Sequence, residues 1–169
     1  MRALLFILLS ILSSLTYANS TSIETSIHAR PIDKVLVVKA DRKLHLMHRG
    51  KVVKSYRVSL GKRPGAKQHE GDLRTPEGVY WINWRKKSEN YNLAMHISYP
   101  NAQDLKRAKE IGLPPGGMIM LHGTPTDDEF PEWFFNTLDW TEGCIALNNA
   151  DMQEVWTLVK DGTVIEIRP

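Results

Sequence analysis

The first part of the domain, residues 32–60, has the short apolar and alternating runs that are typical of β-strands. A continuous β-branched run predicts a strand over 35–39, and alternation predicts two more over 43–47 and 51–60. We expect these three strands to form a meander. Later in the chain, further strands are predicted at residues 79–84, 93–99, 118–121, 144–147 and 163–168.

Helical spacing is found in the second half of the chain. Residues 102–111 fit a short helix that Asn101 caps and Gly112 ends. A second helix is predicted over 149–160, and the aromatic stretch 129–138 is a candidate third. About seven strands, most of them ahead of these helices, indicate a mainly β fold with a few helices and a sandwich-like sheet.

The N-terminal residues differ in composition from the rest of the chain. Arg2 precedes an almost entirely apolar run over residues 3–15. The small residues Thr16 and Ala18 then stand at the −3 and −1 positions of a possible cleavage site after Ala18. We therefore expect a signal peptide over 1–18, a flexible leader over 19–31 and one domain over 32–169. An uncleaved membrane anchor is the alternative, which the shortness of the apolar run disfavours. The expected location is the periplasm, without stable membrane insertion after cleavage.

Composition and charge narrow the classes of partner. The formal net charge is only +3, and no run of Lys and Arg is interleaved with aromatic residues, so we expect no nucleic-acid partner. A charge of this size allows general attraction to an anionic surface such as a cell wall. His45 and His48 are three residues apart, so on a strand they face opposite sides, and we expect no metal site there and no cofactor.

The only cysteine of the chain, Cys144, cannot form an intramolecular disulfide. A buried small hydrophobe and an intermolecular disulfide are the ordinary explanations. The flanking residues favour a nucleophile instead, because Gly143 lets the backbone approach a substrate carbonyl and His122, at the end of a predicted buried strand, supplies a base. A thiol paired with an imidazole is expected to have a lowered pKa, and the Cys144 N–H is placed to stabilise an oxyanion.

The residues around this pair resemble the L,D-transpeptidase family, the YkuD-type cysteine enzymes of peptidoglycan. That family has a histidine followed by Ser/Thr-X-Gly-Cys and an aliphatic residue. The matching positions here are His122, Thr141, Gly143, Cys144 and Ile145. Weaker similarity extends over nearly the whole chain after residue 18, through Gly71-Asp72, Thr75 to Tyr80, Ser98 to Asn101 and Gly162 to Ile167.

The resemblance implies an L,D-transpeptidase fold and peptidoglycan stem peptides as partners. It implies that Cys144 attacks the carbonyl after meso-diaminopimelate, that His122 is the base, and that the Gly123 carbonyl orients the imidazole. Thr141 and Gly143 would lie against the substrate, as would Tyr99 and His96, although a structural role is the alternative for His96.

Two positions depart from the family's common pattern. Glu142 stands where histidine is frequent, and Ala146 stands where arginine is frequent. We expect acyl transfer to an amine, because the aromatic insert from Phe130 to Trp140 is a candidate lid that excludes water. The alternatives are hydrolysis, as an L,D-carboxypeptidase, endopeptidase or amidase, and a non-catalytic wall-binding protein.

Overall fold

Residues 31–126 and 129–169 are described by the computed structural model. The predicted signal peptide and all of the leader except Pro31 lie outside these residues. Within the described part, no helix has the length and apolar character needed to cross a membrane. Pro31–Pro169 forms one compact unit.

A single eight-stranded sheet dominates the fold, which confirms the mainly β class. In chain order the strands are β1 (Lys34–Val38), β2 (Lys43–His48), β3 (Lys51–Arg57), β4 (Gly78–Ser88), β5 (Asn92–Ile97), β6 (Met120–His122), β7 (Ile145–Ala146) and β8 (Val164–Arg168). Their spatial order is β3-β2-β1-β8-β4-β5-β6-β7. The helices are α1 (Ala102–Glu110), α2 (Glu132–Phe135) and α3 (Asn149–Leu158).

The first three strands form the predicted antiparallel meander. The last strand of the chain, β8, then pairs in parallel with β1 and antiparallel with β4, so it joins the meander to the rest of the sheet. The capped helix is also confirmed: the Asn101 side chain accepts hydrogen bonds from the N–H groups of Gln103 and Asp104, and the Asp104 side chain accepts one from the Asn101 N–H.

Two elements differ most from their sequence predictions. Strand β4 continues to Ser88, beyond the predicted end at residue 84, because its polar second half pairs with β5 after a register shift between Ile82 and Arg85. The aromatic helix over 129–138 is wrong in length. Only one turn forms, at α2, where Pro131 is the N-cap and the chain leaves the helix at Asn136.

The sheet curls around one core, to which all eight strands and α3 contribute. Beyond the end of β3, Ser59 and Ala146 of β7 exchange two backbone hydrogen bonds, each with an N···O distance of 2.9 Å. The outermost strand β7 therefore meets the segment that follows the opposite edge strand. This closure gives the predicted sandwich-like arrangement, and it places β7 between two hydrogen-bonding neighbours.

Candidate active site

A cavity of about 470 Å³ opens beside β6 and β7. Its lining includes both members of the predicted catalytic pair, His122 and Cys144. The described lining residues are Lys62, Lys86, Ser88, Asn90, Tyr91, Ala94, Met118, Met120, His122, Trp140, Thr141, Glu142 and Cys144.

The meeting of Cys144 and His122 follows from the parallel pairing of β6 with β7. Leu121 pairs with Ile145, and His122 pairs with Ala146. Since paired residues and every second residue along a strand share one face of a sheet, the register places Cys144, His122 and Ala146 on the same face. The 21 residues between His122 and Cys144 thus lie in the connection between the two strands.

The His122 imidazole is held in one orientation. Its Nδ1 lies 2.6 Å from the Gly123 carbonyl oxygen, which can only accept, so Nδ1 donates and Nε2 carries the lone pair of the neutral ring. Tyr91 packs against the ring with centroids 4.5 Å apart, and Trp140 meets it edge-on at 5.6 Å. Burial lowers the pKa of His122, against a smaller opposite effect of the hydrogen bond to Gly123.

Glycine is required at position 123 by close packing. A Cβ added there would lie 2.2 Å from the Asn149 Oδ1 and 2.8 Å from the Tyr91 carbonyl oxygen. Asn149 is itself fixed, because its amide nitrogen donates to the Thr124 hydroxyl and its backbone N–H donates to the Glu132 carboxylate. The loop that carries the Gly123 carbonyl is therefore anchored to the start of α3.

The electrostatic surroundings of Cys144 differ from the sequence expectation. Burial raises the pKa of the thiol, and the opposing effects of the Met120 backbone and the Lys67 ammonium do not outweigh it; the Glu142 carboxylate raises the pKa further. The expected lowering by the imidazole is therefore wrong. Because the pKa of His122 is lowered, the imidazole and the thiol are both neutral at rest, and the thiol donates to the Met118 carbonyl oxygen at 3.7 Å.

The turn before Cys144 also depends on a glycine. Gly143 has φ of +133°, and a Cβ there would lie 2.7 Å from the Arg74 carbonyl oxygen. The buried Thr141 hydroxyl accepts a hydrogen bond from the Gly143 N–H at 3.2 Å and donates one to the Cys144 carbonyl at 2.8 Å. Thr141 thus lines the cavity while its hydroxyl holds the turn together.

Of the four predicted substrate-binding residues, Thr141 is among the described residues that line the cavity, and Gly143, Tyr99 and His96 are not. Tyr99 is buried, and its hydroxyl donates to the Pro115 carbonyl at 2.9 Å. His96 lies on the same face of the sheet as His122, but Trp84 stacks on its ring with centroids 4.8 Å apart. The structure does not bring either side chain to the thiol, and their contact with substrate stays a prediction.

The aromatic insert divides into an inner and an outer part. Trp140 lines the cavity and packs against Phe135, which is buried. Phe130 and Trp133 are 45% and 66% exposed, and neither is among the described lining residues. Tyr91 packs against both His122 and Trp140, with a centroid distance of 6.1 Å to Trp140, and nothing in its sequence context marks this role.

A buried ion pair behind the thiol was missed by the sequence patterns. The Lys67 ammonium lies 2.9 Å from the Asp72 carboxylate, and both side chains are about 5% exposed or less. Asp72 also accepts hydrogen bonds from the backbone N–H groups of Gln68, His69 and Arg74. The pair closes the loop whose Arg74 carbonyl packs against Gly143. Both residues are in a charged, glycine-punctuated stretch, which predicts only a loop.

Comparison with known proteins identifies the fold. The family model of the YkuD domain, described as an L,D-transpeptidase catalytic domain, matches residues 32–167. The chain belongs to this L,D-transpeptidase family. Within the described residues, no group of three or more His, Cys, Asp and Glu side chains is arranged to hold a metal ion.

Relatives of this L,D-transpeptidase-family domain include YafK of Escherichia coli strain K12, which is named as a candidate L,D-transpeptidase. The two are 29% identical over 131 residues, 76% of this chain and 44% of YafK. Among solved structures, Pgp2 of Campylobacter jejuni, titled a helical cell shape determining protein, has a TM-score of 0.61 at 25% identity, covering 87% of this chain and 54% of that one. Bd1075 of Bdellovibrio bacteriovorus has a TM-score of 0.60 at 27% identity, covering 82% and 48%. The chain spans about half the length of these relatives.

The buried ion pair generates a stability prediction. Asp72→Ala leaves the Lys67 ammonium buried without its partner and removes the acceptor of three backbone N–H groups, so the free energy of unfolding should fall by about 3–5 kcal/mol. Urea unfolding at pH 7 measures it. Glu70→Ala, an exposed charge deletion in the same loop, is the control and should change the value by less than about 0.5 kcal/mol.

The same prediction has a pH dependence. Burial opposes ionisation of Asp72, but the backbone N–H groups and the Lys67 ammonium outweigh it and hold its pKa below the ordinary 3.8. A lowered native pKa stabilises the fold at neutral pH, and this contribution is lost as pH falls through the native value. The difference between wild type and Asp72→Ala should therefore shrink only below about pH 4. A difference under about 1 kcal/mol at pH 7 would show that the pair does not hold the loop.

Proposed function

We propose that this protein is a cysteine-dependent acyltransferase of peptidoglycan, with the L,D-transpeptidase reaction implied by its family. The observation that carries the proposal is the placement of Cys144 and His122 on one face of neighbouring strands, at a common cavity. The imidazole is already oriented by the Gly123 carbonyl, as a general base requires. The proposed catalytic domain is residues 32–169, and the proposed partner is the stem peptide.

In the first half of the reaction, the neutral Nε2 of His122 takes the thiol proton as the Cys144 sulfur bonds to the donor carbonyl carbon. The negative charge that forms on the carbonyl oxygen is stabilised by the Cys144 N–H. When the tetrahedral intermediate collapses, the bond to the leaving amine breaks and the His122 imidazolium returns the proton to that amine. The products are a thioester on Cys144 and a released D-amino acid.

In the second half, an amine attacks the thioester carbonyl, and His122 takes a proton from the amine nitrogen. The carbon–sulfur bond breaks, an amide forms, and the His122 imidazolium gives its proton to the leaving sulfur, which restores the thiol and the neutral base. The Glu142 carboxylate, which lines the cavity one residue from Gly143, supports an amine acceptor because it attracts an ammonium group to the site.

Hydrolysis of the same thioester is the second candidate. The exposure of Phe130 and Trp133 favours this route. Among the described aromatic residues of the insert, only Trp140 lines the cavity, so the insert does not cover it. A cavity without a closed lid admits water, which competes with an amine for the thioester. Carboxypeptidase, endopeptidase and amidase activities all use this route.

The first functional prediction separates these fates. Mature protein incubated with disaccharide-tetrapeptide should release D-alanine, and with an added D-amino acid it should form the exchanged tetrapeptide, as seen by mass spectrometry. Tripeptide alone, without exchange at high amine concentration, would assign the hydrolytic route.

Cys144→Ala tests whether the thiol is the nucleophile. This variant should reduce turnover by at least about 10³-fold, while its circular dichroism spectrum and melting temperature stay close to those of the wild type. Full activity in this variant would refute the mechanism, and an inactive wild-type protein that still binds the peptide would indicate a wall-binding protein.

The second functional prediction is a pH profile. His122 must be neutral to accept the proton, and burial lowers its pKa below the ordinary 6.5, so kcat/KM should stay constant as pH falls to 6.5 and decline only below it. Burial raises the pKa of the Cys144 thiol above the ordinary 9.0, so alkylation by iodoacetamide should reach half its maximal rate only above that value. Fast alkylation at pH 6 would instead indicate a resting thiolate.

The expected signal peptide generates a separate prediction about export. We propose that residues 1–18 are removed after Ala18 and that the enzyme acts in the periplasm. N-terminal sequencing of the exported protein should begin at Asn19. A membrane-bound species that retains Met1 would identify an anchor instead.

A further inference from the structure

A row of paired residues crosses four strands at the cavity. Lys86 of β4 pairs with Ala94 of β5, Ala94 pairs with His122 of β6, and His122 pairs with Ala146 of β7. Paired residues in a sheet share one face, so the Lys86 side chain stands on the face that carries the imidazole. Lys86, Ala94 and His122 all line the cavity, in agreement with this register.

The neighbouring row shows that the two faces are distinct. Met95, Leu121 and Ile145 lie one position along these strands, and all three are 0% exposed in the core. Lys87, the residue after Lys86, pairs with Leu93 and is exposed, and it is not among the described lining residues of the cavity. Because successive side chains of a strand point to opposite faces of the sheet, Lys86 faces the cavity and Lys87 faces away from it.

Lys86 is within reach of a substrate at the imidazole. Adjacent strands are about 4.8 Å apart, so two strand spacings place the Lys86 backbone roughly 10 Å from that of His122. The residue between them is Ala94, which lines the cavity and has only a methyl side chain. A lysine carries its ammonium on a flexible four-carbon stem, and the stem of Lys86 can extend across Ala94 toward the reacting carbonyl.

A second lysine approaches from the other wall. The Lys62 N–H donates to the Thr141 carbonyl at 3.0 Å, which fixes Lys62 beside the turn that precedes Cys144. Both lysines are exposed, and neither forms an ion pair with any residue in the described ranges. Glu142 is the one carboxylate among the described lining residues. The cavity thus presents two ammonium groups to a ligand.

We propose that Lys86, assisted by Lys62, binds a carboxylate of the donor peptide and so determines donor specificity. The inference rests on the proposed function. A donor that ends in a D-amino acid carries its terminal carboxylate one residue beyond the scissile carbonyl, and diaminopimelate carries another on its side chain. In the row that crosses the site, positions 94 and 146 are alanine, so Lys86 carries the one ammonium group of this row. Ammonium and carboxylate groups attract strongly where the substrate excludes water.

Binding to an inactive protein tests the proposal without requiring turnover. In the mature Cys144→Ala protein, Lys86→Gln should raise the Kd of the tetrapeptide about ten-fold by calorimetry. Lys87→Gln removes the same charge from the next residue of β4 and should leave the Kd within about two-fold, as Lys86→Arg should. Lys62→Gln should have a smaller effect of the same sign.

Two amidated donors identify the carboxylate. One carries a C-terminal amide, and the other an amide on the diaminopimelate side chain. The Cys144→Ala protein with Lys86 intact should bind one of these amidated donors with a Kd about ten-fold higher than that of the free acid. The Lys86→Gln variant should bind that donor and the free acid with equal Kd. In the active enzyme the same substitution should raise KM for the free acid and leave kcat within about two-fold.

The outcomes separate this inference from the proposed function. The role of Lys86 would be overturned, and the proposed function left standing, by either of two results. One is an equal Kd of the free acid with and without Lys86→Gln, and the other is an equal increase in Kd for all three donors in Lys86→Gln. Absence of a mass increase on Cys144 in the wild-type protein would overturn the acyl-enzyme mechanism, whatever the lysine does. A tetrapeptide that does not bind at all would overturn both.

Discussion

The site depends on the backbone pairing of one two-residue strand. β7 is hydrogen-bonded on one side to β6 and on the other to Ser59, so it cannot shift along its own axis without breaking bonds on both sides. A shift of one residue would turn Cys144 to the opposite face from His122. Because Ser59 follows the strand at the far edge of the sheet, the curl of the whole sheet contributes to this register.

Burial then sets the chemistry of the pair. Tyr91 and Trp140 pack against the imidazole, and burial favours the neutral form of both the imidazole and the thiol. The two neutral groups are suited to transfer of a proton during attack, and they do not require a resting thiolate. The Lys67 ammonium, paired with Asp72, adds a positive charge that acts to lower the pKa of the thiol, and in the proposed reaction it would stabilise the developing negative charge on sulfur.

Much of the architecture could be predicted because local patterns encode it. Alternation predicted the meander, the Asn101 cap marked the start of α1, and the Gly-Cys sequence with an upstream histidine marked the pair. The error at β4 has a physical cause: its second half is polar, and it becomes a strand only by pairing with β5. The family resemblance implied that Tyr99 and His96 lie against the substrate, and this stays a prediction, although the Tyr99 hydroxyl donates to the Pro115 carbonyl and Trp84 stacks on His96.

The sequence by itself determined which groups are chemically able to react: a single thiol, a histidine at the end of a buried strand, and glycines where no side chain fits. Only the tertiary structure decided which residues surround these groups. The row from Lys86 to Ala146 joins residues of four strands, and the ion pair of Lys67 with Asp72 exists because a loop folds over the Gly143 turn. Strand register and long-range packing decide which residues become neighbours, and the spacing of residues along the chain predicts neither of them.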